Sequence, residues 1–155
     1  MKESIGLTVT INIIIIFVSV AFVFIIGIYS YSKAFKAASL IVKSLEKYEG
    51  YNDLAIEQIN RDLGSVGYLR GDSSKCAPTR ESYKLEGQLV NSYDQMYQYC
   101  IYFFDNDDTE SDNRVDNHYS YGVLTYMAFD FTMFGTRLRV PVYAKTTRIY
   151  RFTNT

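Results

Sequence analysis

The run from Leu7 to Tyr29 constrains the fold of this chain more than any other feature of the sequence. It reads LTVTINIIIIFVSVAFVFIIGIY, and it contains no charged residue and few polar ones. As a helix rising about 1.5 Å per residue it would be roughly 34 Å long, enough to cross a hydrocarbon core of about 30 Å. Because lipid cannot satisfy backbone polar groups, a single span has to be helical. We therefore expect a transmembrane helix over residues 7–29. Side chains expected to hold this anchor in lipid include Leu7, Ile14, Phe17, Phe22, Phe24 and Tyr29.

The segment before the anchor, MKESIG, forms a short leader over residues 1–6. No Ala-x-Ala-like site follows the apolar run, and the run is longer than the usual core of a signal peptide. These features predict an anchor that stays attached to the rest of the chain.

The segment that follows the anchor, residues 30–49, is amphipathic at helical spacing. Apolar residues recur three and four positions apart, with serines and lysines on the opposite side. No Gly or Pro lies between Ile28 and Glu49, and Gly50 is placed to end a helix. The pattern predicts that the anchor helix continues as a stem, whose apolar face the domain or neighbouring subunits must cover. This predicted packing face consists of Tyr31, Phe35, Ala38, Val42 and Leu45.

The remaining residues, 50–155, are expected to form one extracytoplasmic α+β domain. A short helix is predicted from Asp53 to Leu63, with Asn52 as its cap and Gly64 just past its end. Its predicted inner edge consists of Leu54, Ile59 and Leu63, helped by Ala55 and Ile56. Segments 96–104, 119–134 and 136–152 show the composition and alternation of β-strands, and a weaker strand is predicted at 83–90. Pro141 cannot donate to a β-ladder, which indicates an edge strand or a bulge. The predicted architecture is a long N-terminal helix packed on a small antiparallel sheet of three or four strands.

The chain has two cysteines, Cys76 and Cys100, both beyond the anchor. In an exported domain such a pair indicates a disulfide, whereas in a cytosolic domain it would be two buried thiols. A bridge closing a loop of about 25 residues would stabilise the domain by roughly 3 kcal/mol in the chain-entropy model. We predict the bridge and an extracytoplasmic domain. Four lysines after the span favour the opposite orientation by the positive-inside rule, although the polar face of the stem also accounts for them.

Few residues could support catalysis or cofactor binding. His118 is the single histidine and has no nucleophile motif beside it, and no Gly-rich phosphate loop is present. The net charge of −1 gives no reason to expect nucleic-acid binding. These features predict a protein that is not an enzyme and needs no cofactor.

The acidic segment 105–117, DNDDTESDNRVDN, is the one candidate metal site in the sequence. Asp105, Asp107 and Asp116 supply hard oxygen ligands in an order similar to a calcium-binding EF-hand loop. Glu110 replaces the central glycine of such a loop, so a solvated hairpin loop is the favoured interpretation and calcium binding the weaker one.

The aromatic composition leaves a second functional class open. The chain contains 15 Tyr and 10 Phe but no Trp. Tyrosine suits contact surfaces, because its ring buries area while its hydroxyl stays hydrated, but it is also an ordinary strand residue. The alternative function is therefore a membrane-tethered extracellular binding or sensing module with a tyrosine-rich sheet as its contact surface. Arg-Gly-Asp at 70–72 is also read by some adhesion receptors, but three residues recur by chance.

The layout resembles the pilin-like proteins of type IV filament systems, and most of all the TadE/TadF-like minor pilins of the tight-adherence pilus. The features that carry the resemblance are the leader MKESIG, the span, and the closing segment YGVLTYMAFDFTMFGTRLRVPVYAKTTRIYRF. It implies a single-pass protein of the bacterial cell membrane that acts in assembly of a surface pilus or secretion system. Its partners would be membrane lipid and other pilin-like subunits or assembly-platform proteins, within a homo- or hetero-oligomer. Processing after a glycine would fall at Gly6, and Ile11 would then occupy the position where such pilins carry Glu.

Overall fold

The structure is a computed structural model that describes residues 2–71, 76, 87–90, 95–106, 118–131 and 136–150. Its elements, in chain order, are α1 (Lys2–Lys47), α2 (Asp53–Val66), β1 (Gln88–Leu89), β2 (Tyr99–Asn106), β3 (His118–Phe131), β4 (Thr136–Lys145) and β5 (Ile149–Tyr150). The predicted α+β architecture, a long apolar N-terminal helix with a small antiparallel sheet, is confirmed.

Helix α1 runs without interruption through the anchor and the stem, as the absence of Gly and Pro after Ile28 predicts. It ends where Glu49 and Gly50 adopt positive φ angles of 51° and 148°. The N–H of Gly50 donates to the carbonyl of Leu45 over 3.0 Å, which closes the last turn. The predicted end near Gly50 is therefore correct.

Helix α2 begins as predicted but ends later. The Oδ1 atom of Asn52 accepts a hydrogen bond from the N–H of Ala55 over 2.9 Å, which caps the first turn. The helix continues through Gly64 to Val66, and Gly67, with a φ of 62°, supplies the left-handed residue that ends it. A Cβ atom at Gly64 would lie 3.0 Å from the Tyr97 hydroxyl, so this glycine permits close packing.

The inner edge of α2 also differs from the prediction at one residue. Its buried residues are Ala55, Ile59 and Leu63, whereas Leu54 is exposed. The inner edge therefore begins at Ala55, one position later than predicted.

The sheet is antiparallel, in the order β1-β2-β3-β4, with β5 paired to the start of β3. The predicted strand at 136–152 is divided, because β4 ends at Lys145 and β5 begins at Ile149. Between them, the N–H and Oγ1 of Thr147 donate to Glu46 Oε1 on α1 over 2.7 and 2.9 Å, which draws the chain toward the helix. Pro141 lies in β4, at the edge of the sheet formed by the described residues, as predicted. Of the predicted strand at 83–90, Gln88–Leu89 forms β1 and residues 83–86 lie outside the described residues.

Both faces of the sheet are covered by side chains. On one face, the sheet packs against α1 and α2 through the buried residues Ala37, Ile41, Leu45, Ile59, Leu63, Tyr99, Ile101 and Val123. On the other face, a second cluster contains Cys100, Tyr102, Phe104 and Leu124, with Cys76 and Leu89 packed against it. The alternation along β2 thus divides its side chains between two apolar clusters, which explains why its polar residues are few.

Candidate functional site

The anchor is the most exposed apolar surface of the molecule. Within the described residues, one helix is long and apolar enough to span a membrane, and none of its apolar window is buried against the domain. Each anchor residue predicted from the sequence is exposed: Leu7, Ile14, Phe17, Phe22, Phe24 and Tyr29. A surface of this size facing water would be unfavourable, at about 25 cal/mol for each Å² of apolar area. Lipid or other apolar helices are therefore needed around it. Gly6 lies at the start of this exposed surface, in α1, with no atom within 4 Å of the position where a Cβ would stand.

The domain covers only part of the packing face predicted for the stem. Ala38 and Leu45 are fully buried and Val42 is half-buried, but Tyr31 and Phe35 are 53% and 54% exposed. The domain instead covers residues that lie mostly one position earlier in the chain: Ser30, Ala34, Ala37, Ile41 and Ser44 are all half-buried or buried.

The reason for this shift lies in the size of the side chains on both sides of the interface. Tyr99 and Tyr121 of the sheet already place large rings in the core beside α1. Small residues on the helix, such as Ala34 and Ala37, fill the remaining space at the density of a protein interior. Aromatic residues at these positions would overfill it, so Tyr31 and Phe35 lie outside.

Large apolar side chains that the domain leaves exposed follow one another along one side of α1. We call Phe24, Ile28, Tyr31 and Phe35 the stem stripe, because they follow one another at helical spacing and are all more than half exposed. The rings of Tyr31 and Phe35 are stacked, with their centroids 6.4 Å apart. The stripe begins inside the anchor and continues past it, so apolar surface extends beyond the length needed to cross a membrane.

The domain holds the stem at three levels along its length. The hydroxyl of Thr125 donates to the carbonyl of Ala34 over 3.0 Å. Near the end of the helix, Glu46 accepts the two hydrogen bonds from Thr147, and the Tyr119 hydroxyl donates to the carbonyl of Glu49 over 2.7 Å. These contacts, together with the alanine face, fix the stem on the sheet and thereby fix where the stem stripe points.

The two cysteines form a disulfide between Cys76 and Cys100, with Cα atoms 5.7 Å apart. This agrees with the pairing expected from the sequence. Cys100 is fully buried in β2 and points to the face of the sheet opposite α1. The bridge therefore fixes Cys76 against the second apolar cluster.

The residues considered for metal binding or catalysis are not brought together in the part of the chain that the structure describes. Asp105 is exposed at the end of β2, while Asp107 and Asp116 lie outside the described residues. Among the described residues, no group of three His, Cys, Asp or Glu side chains could hold a metal ion. His118 is buried, with its ring centroid 6.1 Å from that of Tyr150, which is a packing position.

Tyr68 forms hydrogen bonds with the part of β3 that lies just beyond its pairing with β2. The last pair between these strands joins Tyr99 to Thr125, and the next residue, Tyr126, donates its N–H to the Tyr68 hydroxyl over 2.7 Å. The Tyr68 hydroxyl also lies 3.1 Å from the carbonyl of Gln98, to which it donates. Burial raises the pKa of Tyr68 to about 12. This tyrosine is therefore a neutral structural donor and acceptor at physiological pH.

A cavity of about 390 Å³ lies beside Tyr68, between α1, the segment that follows α2, and β3. We call it the stem cleft. Its walls include Tyr29 and Lys33 from α1, Arg70 from the segment after α2, and Ala128 from β3, and none of the described residues that line it is a carboxylate. The ammonium of Lys33 lies 5.5 Å from the centroid of the Tyr29 ring.

No local pattern in the sequence predicts the stem cleft. In the sequence, Lys33 is one of several lysines of the stem. Arg70 belongs to an Arg-Gly-Asp tripeptide, whose Asp72 lies outside the described residues. The two cations are far apart in the chain and line the same cleft only because α2 folds back against α1.

No protein-family model, curated protein or solved structure matches this chain.

Proposed function

We propose that this protein is a non-enzymatic, single-pass subunit of a bacterial cell envelope, acting as a minor pilin or pseudopilin in assembly of a surface pilus or secretion system. Its domain lies outside the cytoplasm, and its α1 helix packs in and just above the membrane against helices of similar subunits or of the assembly platform. The observation that carries the proposal is the stem stripe, an apolar surface that continues past the anchor and that its own domain leaves exposed.

The energetic argument rests on the part of the stripe beyond the span. Side chains up to Tyr29 are covered by lipid, but Tyr31 and Phe35 extend into the interface and beyond it. Burying an aromatic side chain of this kind contributes about 1.5–3 kcal/mol relative to leaving it exposed. A neighbouring helix that runs parallel to α1 covers both rings, whereas lipid covers them only in part.

The disulfide supports the orientation of the domain. Structural disulfides persist in oxidising compartments and are rare in the cytosol. The Cys76–Cys100 bridge is accordingly expected in a domain that has been exported. The absence of an acid near the start of the span, where Ile11 stands, favours a minor or assembly-assisting subunit over the major subunit of a filament.

The alternative, a tethered binding or sensing module with a tyrosine-rich contact surface, has less support. Tyr99, Tyr102 and Tyr121 of the sheet are 0%, 2% and 8% exposed, so their rings are used in the two apolar clusters. They offer little area to an external ligand.

The test is a charge placed on the stem stripe. Phe35→Glu should leave the domain folded, because the side chain points away from the sheet, and should abolish cross-links from α1 to neighbouring helices in intact cells. A photo-cross-linking residue at position 31 provides the readout. Lys36→Glu is the control, since it places the same side chain on an exposed polar position about 100° around the helix from Phe35. Unchanged cross-linking of the Phe35→Glu protein, with a normal melting temperature, would contradict the proposal.

A further inference from the structure

We propose that the stem cleft binds the headgroup of an anionic phospholipid in the membrane that α1 crosses. The inference rests on the membrane anchoring proposed above and is independent of assembly into a pilus. Its basis is the position of the cleft along α1, the arrangement of its charges, and the composition of its walls.

The cleft lies at the depth of lipid headgroups. Tyr29 is the last residue of the span and also a wall of the cleft, and Lys33 follows one turn later. Four residues of helix advance about 6 Å along the axis. The headgroup layer on each side of a bilayer is about 5–7 Å thick. The ammonium of Lys33 therefore stands at the level of phosphate groups when residues 7–29 fill the hydrocarbon core.

Among the described residues, the charged side chains that line the cleft are both cations and come from two different elements of the fold. Lys33 belongs to α1 and Arg70 to the segment after α2, and neither side chain forms a hydrogen bond or an ion pair within the described residues. A guanidinium presents a planar fork of donors that matches a phosphate, and an ammonium adds a point charge. Together they form a two-sided site for one phosphodiester.

A third cation lies close to the same region. Arg139 in β4 is paired in register with Ala128, which is part of the cleft wall. Its charge reaches the Tyr68 hydroxyl, where it offsets part of the effect of burial on the pKa. Three elements of the fold therefore place a cation in or near the cleft.

Two contacts within the fold position Lys33: the Tyr29 ring and the C-terminal end of α2. A Cβ atom at Gly67 would lie 3.9 Å from the Lys33 Nζ atom, so the ammonium stands beside this end of α2, where the negative end of the helix dipole attracts cations. Helix α2 has no basic residue of its own in its last turn. This attraction holds the ammonium at the mouth of the cleft, while its donors stay available to a ligand.

The other walls suit the glycerol part of a lipid. Tyr29, Ala34 and Leu69 give the cleft an apolar side that faces the exposed anchor. The volume of about 390 Å³ falls within the range of roughly 300–1,000 Å³ that is typical of small-molecule sites. A free inorganic phosphate would use the cations and leave this apolar wall in contact with water.

The test uses the full chain in micelles of a neutral detergent, with bound lipid counted by native mass spectrometry. The probes are dihexanoyl phosphatidylglycerol, dihexanoyl phosphatidylcholine and inorganic phosphate. We expect phosphatidylglycerol to bind at least tenfold more tightly than phosphatidylcholine, and phosphate to compete weakly. Phosphate that binds as well as phosphatidylglycerol would assign the cleft to a free anion, and equal binding of both lipids would remove the role of the cations. Either result overturns the proposal.

The variants separate a built site from diffuse attraction. Lys33→Met with Arg70→Met should lower the affinity for phosphatidylglycerol at least tenfold. Lys36→Met with Lys43→Met removes the same charge from the exposed side of the stem and should leave the affinity unchanged. An equal loss in both double variants contradicts the proposal. If the first double variant melts early, Lys33→Gln alone, which keeps a polar side chain, must still weaken binding. The Phe35→Glu protein should retain lipid, so a failure of lipid binding and a failure of assembly remain distinguishable.

Discussion

The hydroxyl of Thr125 in β3 donates a hydrogen bond to the carbonyl oxygen of Ala34 in α1, over a distance of 3.0 Å. Both residues are buried, and the Thr125 oxygen also lies 3.3 Å from the carbonyl of Val142 in β4. This contact joins the stem to the centre of the sheet at the level of the stem cleft. The Thr125 hydroxyl can reach the Ala34 carbonyl because the side chain at position 34 is small.

Replacing Thr125 with Val should destabilise the domain by about 1 kcal/mol, because the shape is kept and one net hydrogen bond is lost. Urea unfolding of the full chain in detergent, followed by tyrosine fluorescence, measures the change. Thr125→Ser keeps the hydroxyl and should restore the hydrogen bond at the cost of one buried methyl group. A Val variant as stable as the wild-type protein would mean that the contact adds nothing to the net stability.

The long helix could be predicted from the sequence because its signals are local. Charge-free length, amphipathic spacing and the positions of Gly50 and Asn52 depend only on neighbouring residues, and the observed C-terminal end of α1 and the cap of α2 agree with them. The disulfide could be predicted because the chain contains only two cysteines. The strands could likewise be predicted from the alternation of apolar and polar residues. The turn toward Glu46 that separates β4 from β5 could not, because no local sequence pattern indicates it.

The face of the stem could not be predicted in the same way. Tyr31 and Phe35 are apolar and correctly spaced, so periodicity alone assigns them to the core. Ala34 and Ala37 face the sheet because the rings of Tyr99 and Tyr121 already fill much of the core there. This depends on tertiary contacts, which periodicity does not show. The stem cleft was missed for a similar reason, since Lys33 and Arg70 line the same cleft only after α2 has folded against α1.

Removing the disulfide should lower the free energy of unfolding by about 3 kcal/mol in the chain-entropy model. The variant Cys76→Ala with Cys100→Ala, unfolded in urea, measures this loss. Reduction of the wild-type protein should produce a shift of similar size, and the double variant should not respond to reductant. If the unfolding midpoint is the same with and without the bridge, the second apolar cluster holds the segment around Cys76 without it.

Stability should fall at high pH through Tyr68. Its pKa is 10.0 in an unfolded chain and about 12 in the folded protein, so the unfolded state loses its proton first. The stabilisation is complete below about pH 10 and is lost as the pH rises toward about 12, by up to 2–3 kcal/mol at about 1.4 kcal/mol per pKa unit. Burial also raises the pKa of Tyr99, which acts in the same direction.

Tyr68→Phe separates this contribution from other titrations. The variant should be less stable at about pH 9 by roughly 1–3 kcal/mol, because the N–H of Tyr126 loses its acceptor. Between about pH 9 and about pH 11.5 the free energy of unfolding should fall less in the variant than in the wild-type protein. Equal slopes for the two proteins would show that Tyr68 does not control the alkaline transition.

The contact between Glu46 and Thr147 should control the local stability of the last strand. Glu46 accepts two hydrogen bonds from a partly exposed position, so Glu46→Ala should cost no more than about 1 kcal/mol globally. The chain between β4 and β5 would lose its attachment to the helix, and amide hydrogens from Thr146 to Tyr150 should exchange faster. Hydrogen exchange with mass spectrometry gives the readout, with Lys47→Ala as the control on the neighbouring exposed residue. Among the described residues, β5 pairs with His118 and Tyr119 of β3. Faster exchange throughout the rest of β3 would therefore mean that the contact supports the whole sheet.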